Sequence, residues 1–290
     1  MTLELRKVCI SDELLHNLLS NCFLLEKLSL IQCQGPFNLN IGGSGSGSSQ
    51  GRLKFLCIKC CPTLNRIEIS SESLASLEYT GILINFSFKY VRNLTETYLY
   101  FSTYNGHNGV TYALTRLGSE IPQLKKLNFL SVKSMNVLKL PNNELVFTNV
   151  KLLILTIYPF QDEDRLIWIA YILRAFPLLQ KLELNQLFTP NFIKQTEMIE
   201  RLLAECPHEI LTEVEINGFN GNQHEVELLS YLLENLVKLK TLVIDSCPKI
   251  YQGCNSWVYE EANSWCKFKN KEVSDCFHEL VPKAINLIVQ

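Results

Sequence analysis

Two short stretches set the terms for everything this chain can fold into. Residues 25–33 read LEKLSLIQC, and residues 53–60 read LKFLCIKC. The first is the pattern L-x-x-L-x-L-x-x-C; the second shares its three apolar positions, with Ile for the third Leu, and closes on Cys60 one place early. The pattern recurs from Leu5, Leu25, Leu53, Leu74, Leu94, Leu124, Val150, Leu179, Leu211 and Leu239, at intervals of 20, 28, 21, 20, 30, 26, 29, 32 and 28 residues. Scattered leucines would carry little weight in an apolar chain. Their even spacing is what points to stacked structural units.

That period and that motif belong to leucine-rich repeats, which stack one short unit on the next. Within a unit a strand sends alternate side chains to opposite faces. Leu28 and Leu30 therefore point inward and Ser29 outward, and the chain must cross over to begin the next parallel strand. The expected fold is an α/β solenoid: a curved parallel sheet with helices and short strands on its convex side. Residues 12–24 read as one return helix, with Leu14, Leu15, Leu18 and Leu19 on a stripe and Ser11 as N-cap. Residues 165–176 read as a second, opened by the acidic run 162–164 at the positive end of the helix. Residues 222–235 read as a third, with Asn222 and Glu225 at capping-box spacing. The return at 64–69 is too short for a helix and reads as a convex strand. An amphipathic helix over 259–280 is expected to cap the end.

The run IGGSGSGSSQG at 41–51 lies in a return segment and accounts for the excess of that interval over the first. It reads as a flexible loop insertion, since loop closure becomes costlier only slowly with length. It lacks the Gly-Lys-Ser/Thr ending of a P-loop, the glycine spacing of a dinucleotide loop and the central serine of a nucleophile elbow. The division expected is residues 1–204 as repeats and 205–290 as C-terminal repeats with a capping tail.

Composition removes several classes of function. A net charge of -2 over 290 residues offers no general attraction to nucleic acid or to an acidic membrane, and neither is expected as a partner. Residues 1–7 hold no apolar run, and the apolar stretch 166–173 is too short to span a bilayer. The 11 cysteines then read as thiols of a reducing compartment, cytoplasmic or nuclear. Cys33, Cys60 and Cys247 are assigned the inward cysteine position of the repeat, with Cys57 outward, so Cys57 and Cys60 diverge rather than share a metal. Cys254, Cys266, Cys276 and His278 have no standard zinc spacing. The five histidines form no paired motif. No catalytic, metal or cofactor site is expected, and the chain reads as non-enzymatic.

Residues 211–244, LTEVEINGFNGNQHEVELLSYLLENLVKLKTLVI, resemble the FBD module of plant F-box proteins. The marks are the strand, Gly218-Phe219, Gly221, the helix carrying Glu225 and Glu227, and the closing LVI strand. Residues 53–81, with CCP and LEY, resemble that family's repeats, and Trp257, Trp265 and an apolar strand at 285–289 fit its ending. The resemblance implies the target-recognition part of an SCF-type ubiquitin ligase subunit, whose F-box would dock a Skp1-like adaptor. No F-box is present in this sequence, so the adaptor is expected as partner only through an upstream one. The other reading is a free-standing repeat scaffold or truncated gene copy with no ubiquitin link.

A target protein is expected on the outward side chains of the strands. Alternation assigns these as Phe55, Lys59, Tyr98, Tyr100, Lys126, Lys181, Glu183, Glu213, Glu215 and Asp245. The first half leans basic and the second acidic. The acidic stripe Glu183, Glu213, Glu215 and Asp245 is expected to favour a basic segment, and Tyr98 and Tyr100 to act as aromatic anchors.

Overall fold

The computed structural model describes residues 1–42, 52–102, 112–131, 147–157, 168–187, 208–221, 223–259 and 281–290. Two compact units divide the chain, Met1–Phe129 and Leu130–Gln290. The Gly/Ser run at 43–51, the expected boundary at 204/205 and the acidic run 162–164 lie outside the described residues, as do Asn222 and residues 260–280.

The first unit contains β1 (Thr2–Arg6), α1 (Asp12–Asn21), β2 (Lys27–Ile31), β3 (Asn38–Ile41), β4 (Phe55–Lys59), β5 (Arg66–Ser70), β6 (Ser76–Gly81), β7 (Asn85–Lys89), β8 (Glu96–Phe101) and β9 (Lys126–Ser131). Its main sheet runs β1-β2-β4-β6-β8-β9, and β3-β5-β7 form a second sheet. The register is the repeat made visible. Leu3, Leu28, Leu56, Leu77 and Thr97 stand side by side, as do Leu5, Leu30, Ile58, Tyr79 and Leu99. These two columns face the core and, from β2 onward, are buried. Leu5 is therefore the third leucine of its motif and not the first, a correction to the sequence reading.

The corrected register explains why the returns differ. From Leu3 to Leu28 is 25 residues, enough for α1. From Leu56 to Leu77 is 21 and from Leu77 to Thr97 is 20, which leaves room only for β5 and β7. The expected return strand at 64–69 is thus found, as β5. Leu39, Ile67 and Phe86 line up across the second sheet, as do Ile41, Ile69 and Phe88. Bulky rings fill the core there. Tyr79 meets Phe86 edge-on at 5.0 Å between centroids, and Phe101 lies 5.8 Å from Tyr79 and 5.9 Å from Tyr112.

Strand ends in the main sheet share one device. Lys7, Gln32 and Cys60, each just past its strand, hold φ of 55°, 53° and 52°. Each N–H donates to the next strand, Lys7 to Ile31 O at 2.8 Å, Gln32 to Lys59 O at 2.7 Å and Cys60 to Thr80 O at 2.7 Å. The left-handed residue keeps the last rung of the ladder and swings the chain out of the sheet. It also decides the cysteines. Cys61, not Cys60, takes the inward position; Cys60 is exposed. Cys33 donates its thiol to Leu5 O at 3.3 Å and Cys61 to Leu30 O at 3.6 Å, and burial pushes the Cys61 thiol up to about 11.

Helix α1 starts as expected: Ser11 accepts from Leu14 N–H at 3.2 Å. It ends at Asn21, and of the apolar stripe only Leu15 is fully buried, while Leu14 is exposed.

The second unit contains β10 (Leu152–Ile157), α2 (Trp168–Leu173), β11 (Lys181–Gln186), β12 (Glu213–Asn217), α3 (Gln223–Asn235), β13 (Thr241–Asp245), β14 (Lys249–Gly253), β15 (Ser256–Tyr259) and β16 (Asn286–Val289). The sheet runs β10-β11-β12-β13-β16, all parallel, and β14-β15 form an antiparallel hairpin. Leu153, Leu182, Val214, Leu242 and Leu287 form one inward column and Leu155, Leu184, Ile216, Ile244 and Val289 the other. Helix α3 begins where Glu225, buried, accepts from Asn220 N–H at 2.9 Å. Gly218 has φ 75°, and a Cβ there would lie 2.2 Å from Gln186 O, so the turn after β12 admits only glycine. Tyr259 ends β15 rather than opening a helix.

Candidate functional site

In-register parallel strands stack equivalent outward residues into columns, with neighbours in a column about 4.8 Å apart. In the first unit one column is Lys27, Phe55, Ser76 and Glu96. The next is Ser29, Cys57, Glu78 and Tyr98. The third is Ile31, Lys59, Thr80 and Tyr100. The middle column is buried and the outer two are half-exposed or exposed. Lys59 reaches Glu78 at 3.7 Å, and Lys126 pairs with Glu96 at 3.8 Å. Phe55, Lys59, Tyr100 and Lys126 are half-exposed on the outward side of their strands.

In the second unit the columns are Lys181, Glu213 and Thr241; then Ile154, Glu183, Glu215 and Val243; then Thr156, Asn185, Asn217 and Asp245. The acidic residues do not form an open stripe. Glu183, Glu215 and Asp245 are only 9%, 8% and 6% exposed, and Tyr98 of the first unit 9%. Of the expected stripe, Glu213 alone is exposed.

The cause is the β14-β15 hairpin. From β14, Lys249 forms an ion pair with Glu215 and lies 3.9 Å from Glu183. Lys181 approaches Glu215 at 3.0 Å and Glu213 at 4.0 Å. Amides bind the rest together. Asn185 Nδ2 donates to Glu183 at 3.3 Å, and Asn217 Nδ2 donates to Asn185 Oδ1 at 2.9 Å and to Glu215 at 3.2 Å. Asp245 accepts from the backbone N–H of Cys247 at 2.8 Å. The hairpin braces itself through Tyr251 and Trp257, 4.9 Å apart, and sets the Tyr259 ring 5.4 Å from the Lys249 ammonium.

Two adjacent buried carboxylates titrate apart. Burial, and then repulsion from Glu215, raises the Glu183 carboxyl above its ordinary range. Burial acts the same way on Glu215, but the bonds from Lys249 and Lys181 outweigh it and hold that carboxyl low. Lys249 is raised: burial opposes its charge, and Glu215 and Glu183 more than compensate. The pair is therefore served from within the chain. Sequence reasoning missed Lys249 because it lies past Cys247 and Pro248, outside the repeat period.

Among the described residues no three metal-ligating side chains cluster. Cys254 is exposed on the hairpin, and Cys266, Cys276 and His278 lie outside the described residues. No described helix is long and apolar enough to cross a membrane. What the described residues present is one sheet face in each unit, carrying aromatic and charged side chains.

No solved structure matches the chain. Two curated proteins of Arabidopsis thaliana do. One is the putative FBD-associated F-box protein At1g61330, 25% identical over 262 residues, covering 83% of this chain and 56% of that protein. The other is the FBD-associated F-box protein At1g61320, 25% identical over 261 residues, covering 83% of this chain and 55% of that protein. The chain thus spans about half the length of these relatives. The family profile described as the leucine-rich-repeat domain of At1g61320/AtMIF1 matches residues 1–282, and the chain belongs to that family.

Proposed function

We propose that this chain is a non-enzymatic protein-recognition module, the target-binding part of an SCF-type ubiquitin ligase subunit. The observation that carries the reading is the likeness, over 83% of the chain, to proteins named FBD-associated F-box proteins. An ordered sheet face is also what repeat proteins use to hold partners. In the first unit Phe55 and Tyr100 are the aromatic anchors, with Lys59 and Lys126 on the same sheet face; the second unit offers Lys181 and Glu213 on its own. Residues of this kind, half-exposed and rigidly mounted, dominate interface energetics. A Skp1-like adaptor would join through an F-box on the same natural polypeptide. The reading places the protein in the cytoplasm, the nucleus or both.

The test is capture of partners by the natural polypeptide from its own cells, comparing wild type with Phe55→Ala and Tyr100→Ala. The reading expects a Skp1-like adaptor in every sample and a target lost from both variants at unchanged melting temperature. Retention of every partner by both variants would reject the aromatic face. Absence of the adaptor from all samples would reject the ligase role.

A further inference from the structure

The outward face of the main sheet in the first unit has its charges unevenly matched. Glu4 pairs with Arg6 at 2.9 Å, Glu78 with Lys59 at 3.7 Å and Glu96 with Lys126 at 3.8 Å. Lys27 is exposed and belongs to no ion pair among the described residues. Its neighbour Glu26 pairs with Lys54 at 2.9 Å instead. Depth adds to the imbalance. The Glu78 side chain is 2% exposed and that of Lys59 23%, so at that pair the ammonium meets solvent and the carboxylate does not. At the Lys126–Glu96 pair both partners reach solvent and cancel. The face is left with cations at Lys27 and Lys59.

Each of these lysines shares a row with an aromatic ring. Lys27 is the in-register partner of Phe55, about 4.8 Å away across the ladder. Lys59 is in register with Thr80, and Thr80 with Tyr100. The two rows are four residues apart along β4, from Phe55 to Lys59, or about 13 Å at about 3.3 Å per residue. Between them the column Ser29, Cys57, Glu78 and Tyr98 is buried. A partner on this face therefore meets a cation and a ring at one end of the strands, and again at the other.

We infer that the target segment of this face is acidic: an extended stretch lying along β4, with carboxylates four residues apart, one set against Lys27 and the other against Lys59, and its flanks resting on Phe55 and Tyr100. The inference rests on the reading of this face as the contact surface. The spacing follows from the rows. In an extended chain, residues four apart leave by the same side and span the same distance as Phe55 and Lys59. The rings supply the hold, and the charges steer and select. A basic segment would bring its charges against two ammonium groups, and such repulsion is how an interface refuses a wrong partner.

The experiment measures fluorescence anisotropy of the labelled peptide Thr-Glu-Thr-Val-Thr-Glu-Thr, and of the same peptide with Gln or Lys in place of Glu, against the full chain. Lys27→Glu reverses one cation of the face. Lys238→Glu makes the same change in net charge at an exposed position of the second unit. Saturable binding of the Glu peptide is expected, about tenfold weaker for the Gln peptide and absent for the Lys peptide. Lys27→Glu should weaken the Glu peptide about tenfold and Lys238→Glu should leave it unchanged. A peptide with one Glu replaced by Lys should, in one of its two orders, bind Lys27→Glu more tightly than wild type, an exchange that damage to the fold cannot produce. No saturable binding of the Glu peptide, equal loss in Lys27→Glu and Lys238→Glu, or an oligouridylate that displaces the peptide would overturn the inference. Equal binding of all three peptides, lost in Phe55→Ala, would overturn it and leave the contact face standing. Failure of the face itself reads differently: partners captured from cells would survive Phe55→Ala and Tyr100→Ala.

Discussion

Cys60 holds a backbone conformation that a side chain resists, with φ 52° at the end of β4. The left-handed region costs an ordinary residue about 1–2 kcal/mol, and glycine returns about 0.5–1 kcal/mol of that as chain entropy. Cys60→Gly should therefore raise stability slightly, by up to about 1 kcal/mol, seen as a melting temperature a few degrees higher. A lower midpoint would show that the Cys60 side chain contributes a contact worth more than its strain. Gly218 is the opposite case. With φ 75° and Gln186 O directly in the path of a Cβ, Gly218→Ala should cost about 1–3 kcal/mol and show as a lower denaturation midpoint.

Glu183 and Glu215 stand on adjacent strands with the same neighbours, yet they should respond oppositely to neutralisation. Glu183 binds its proton more tightly folded than unfolded. Its effect on stability is thus favourable below the unfolded value near 4.5 and turns to a penalty as pH rises through the raised folded value. Glu183→Gln should erase that penalty and leave the protein as stable or more stable at pH 7, with the advantage shrinking toward pH 4. Glu215 is held low by two lysines, so its contribution is present above the unfolded value and lost as pH falls through the folded one. Glu215→Gln should cost about 1–3 kcal/mol at neutral pH. Urea midpoints of both variants across pH 4–8 read the two signs directly.

At the scale of elements, the β14-β15 hairpin decides what the second sheet presents. Its hold rests on Lys249, which reaches both buried carboxylates, and on the Tyr251–Trp257 packing. Lys249→Met would leave Glu183 and Glu215 with Lys181 alone. Removing one partner of a buried charge set costs about 3–5 kcal/mol. The expected outcome is a large fall in stability, with chymotrypsin cutting at Tyr251, Trp257 or Tyr259 before the strands. Unchanged cleavage there would mean that the hairpin is fixed by other contacts. Element identity was mostly legible in the sequence, for a physical reason: inward leucines two apart make a strand, and the length left over decides whether the return is helix or strand. Helices α1 and α3 and strand β5 fall where that reasoning puts them. The register of the first repeat did not, because Leu3 and Leu5 copy only the latter part of the motif, while Leu5, Val8 and Ile10 copy its spacing in the wrong phase.

For the whole molecule, repetition makes each buried column a sum of similar terms, so a defect in one repeat is felt mainly by its neighbours. Thr97, the residue that interrupts the leucine column, is buried, and its hydroxyl has no hydrogen-bond partner among the described residues. Thr97→Val has nearly the same shape without the unsatisfied oxygen. It should stabilise by about 1–3 kcal/mol, checked by the denaturation midpoint of the intact chain.

By itself the sequence determined the repeat, the parallel strands, the inward columns and the family, because those follow from periodicity and from side-chain alternation along one strand. Alternation also gave the side by which Phe55, Lys59, Tyr100, Lys126, Lys181 and Glu213 leave their strands, and all six are half-exposed or exposed. The inward Cys61 was legible too, since it lies eight residues past Leu53 as Cys33 lies eight past Leu25. Only the tertiary structure decided that Glu183, Glu215 and Asp245 are closed off. Alternation says which face a side chain leaves by. Whether water reaches it depends on what else folds over that face, and here Lys249 arrives from a hairpin that the repeat period does not encode.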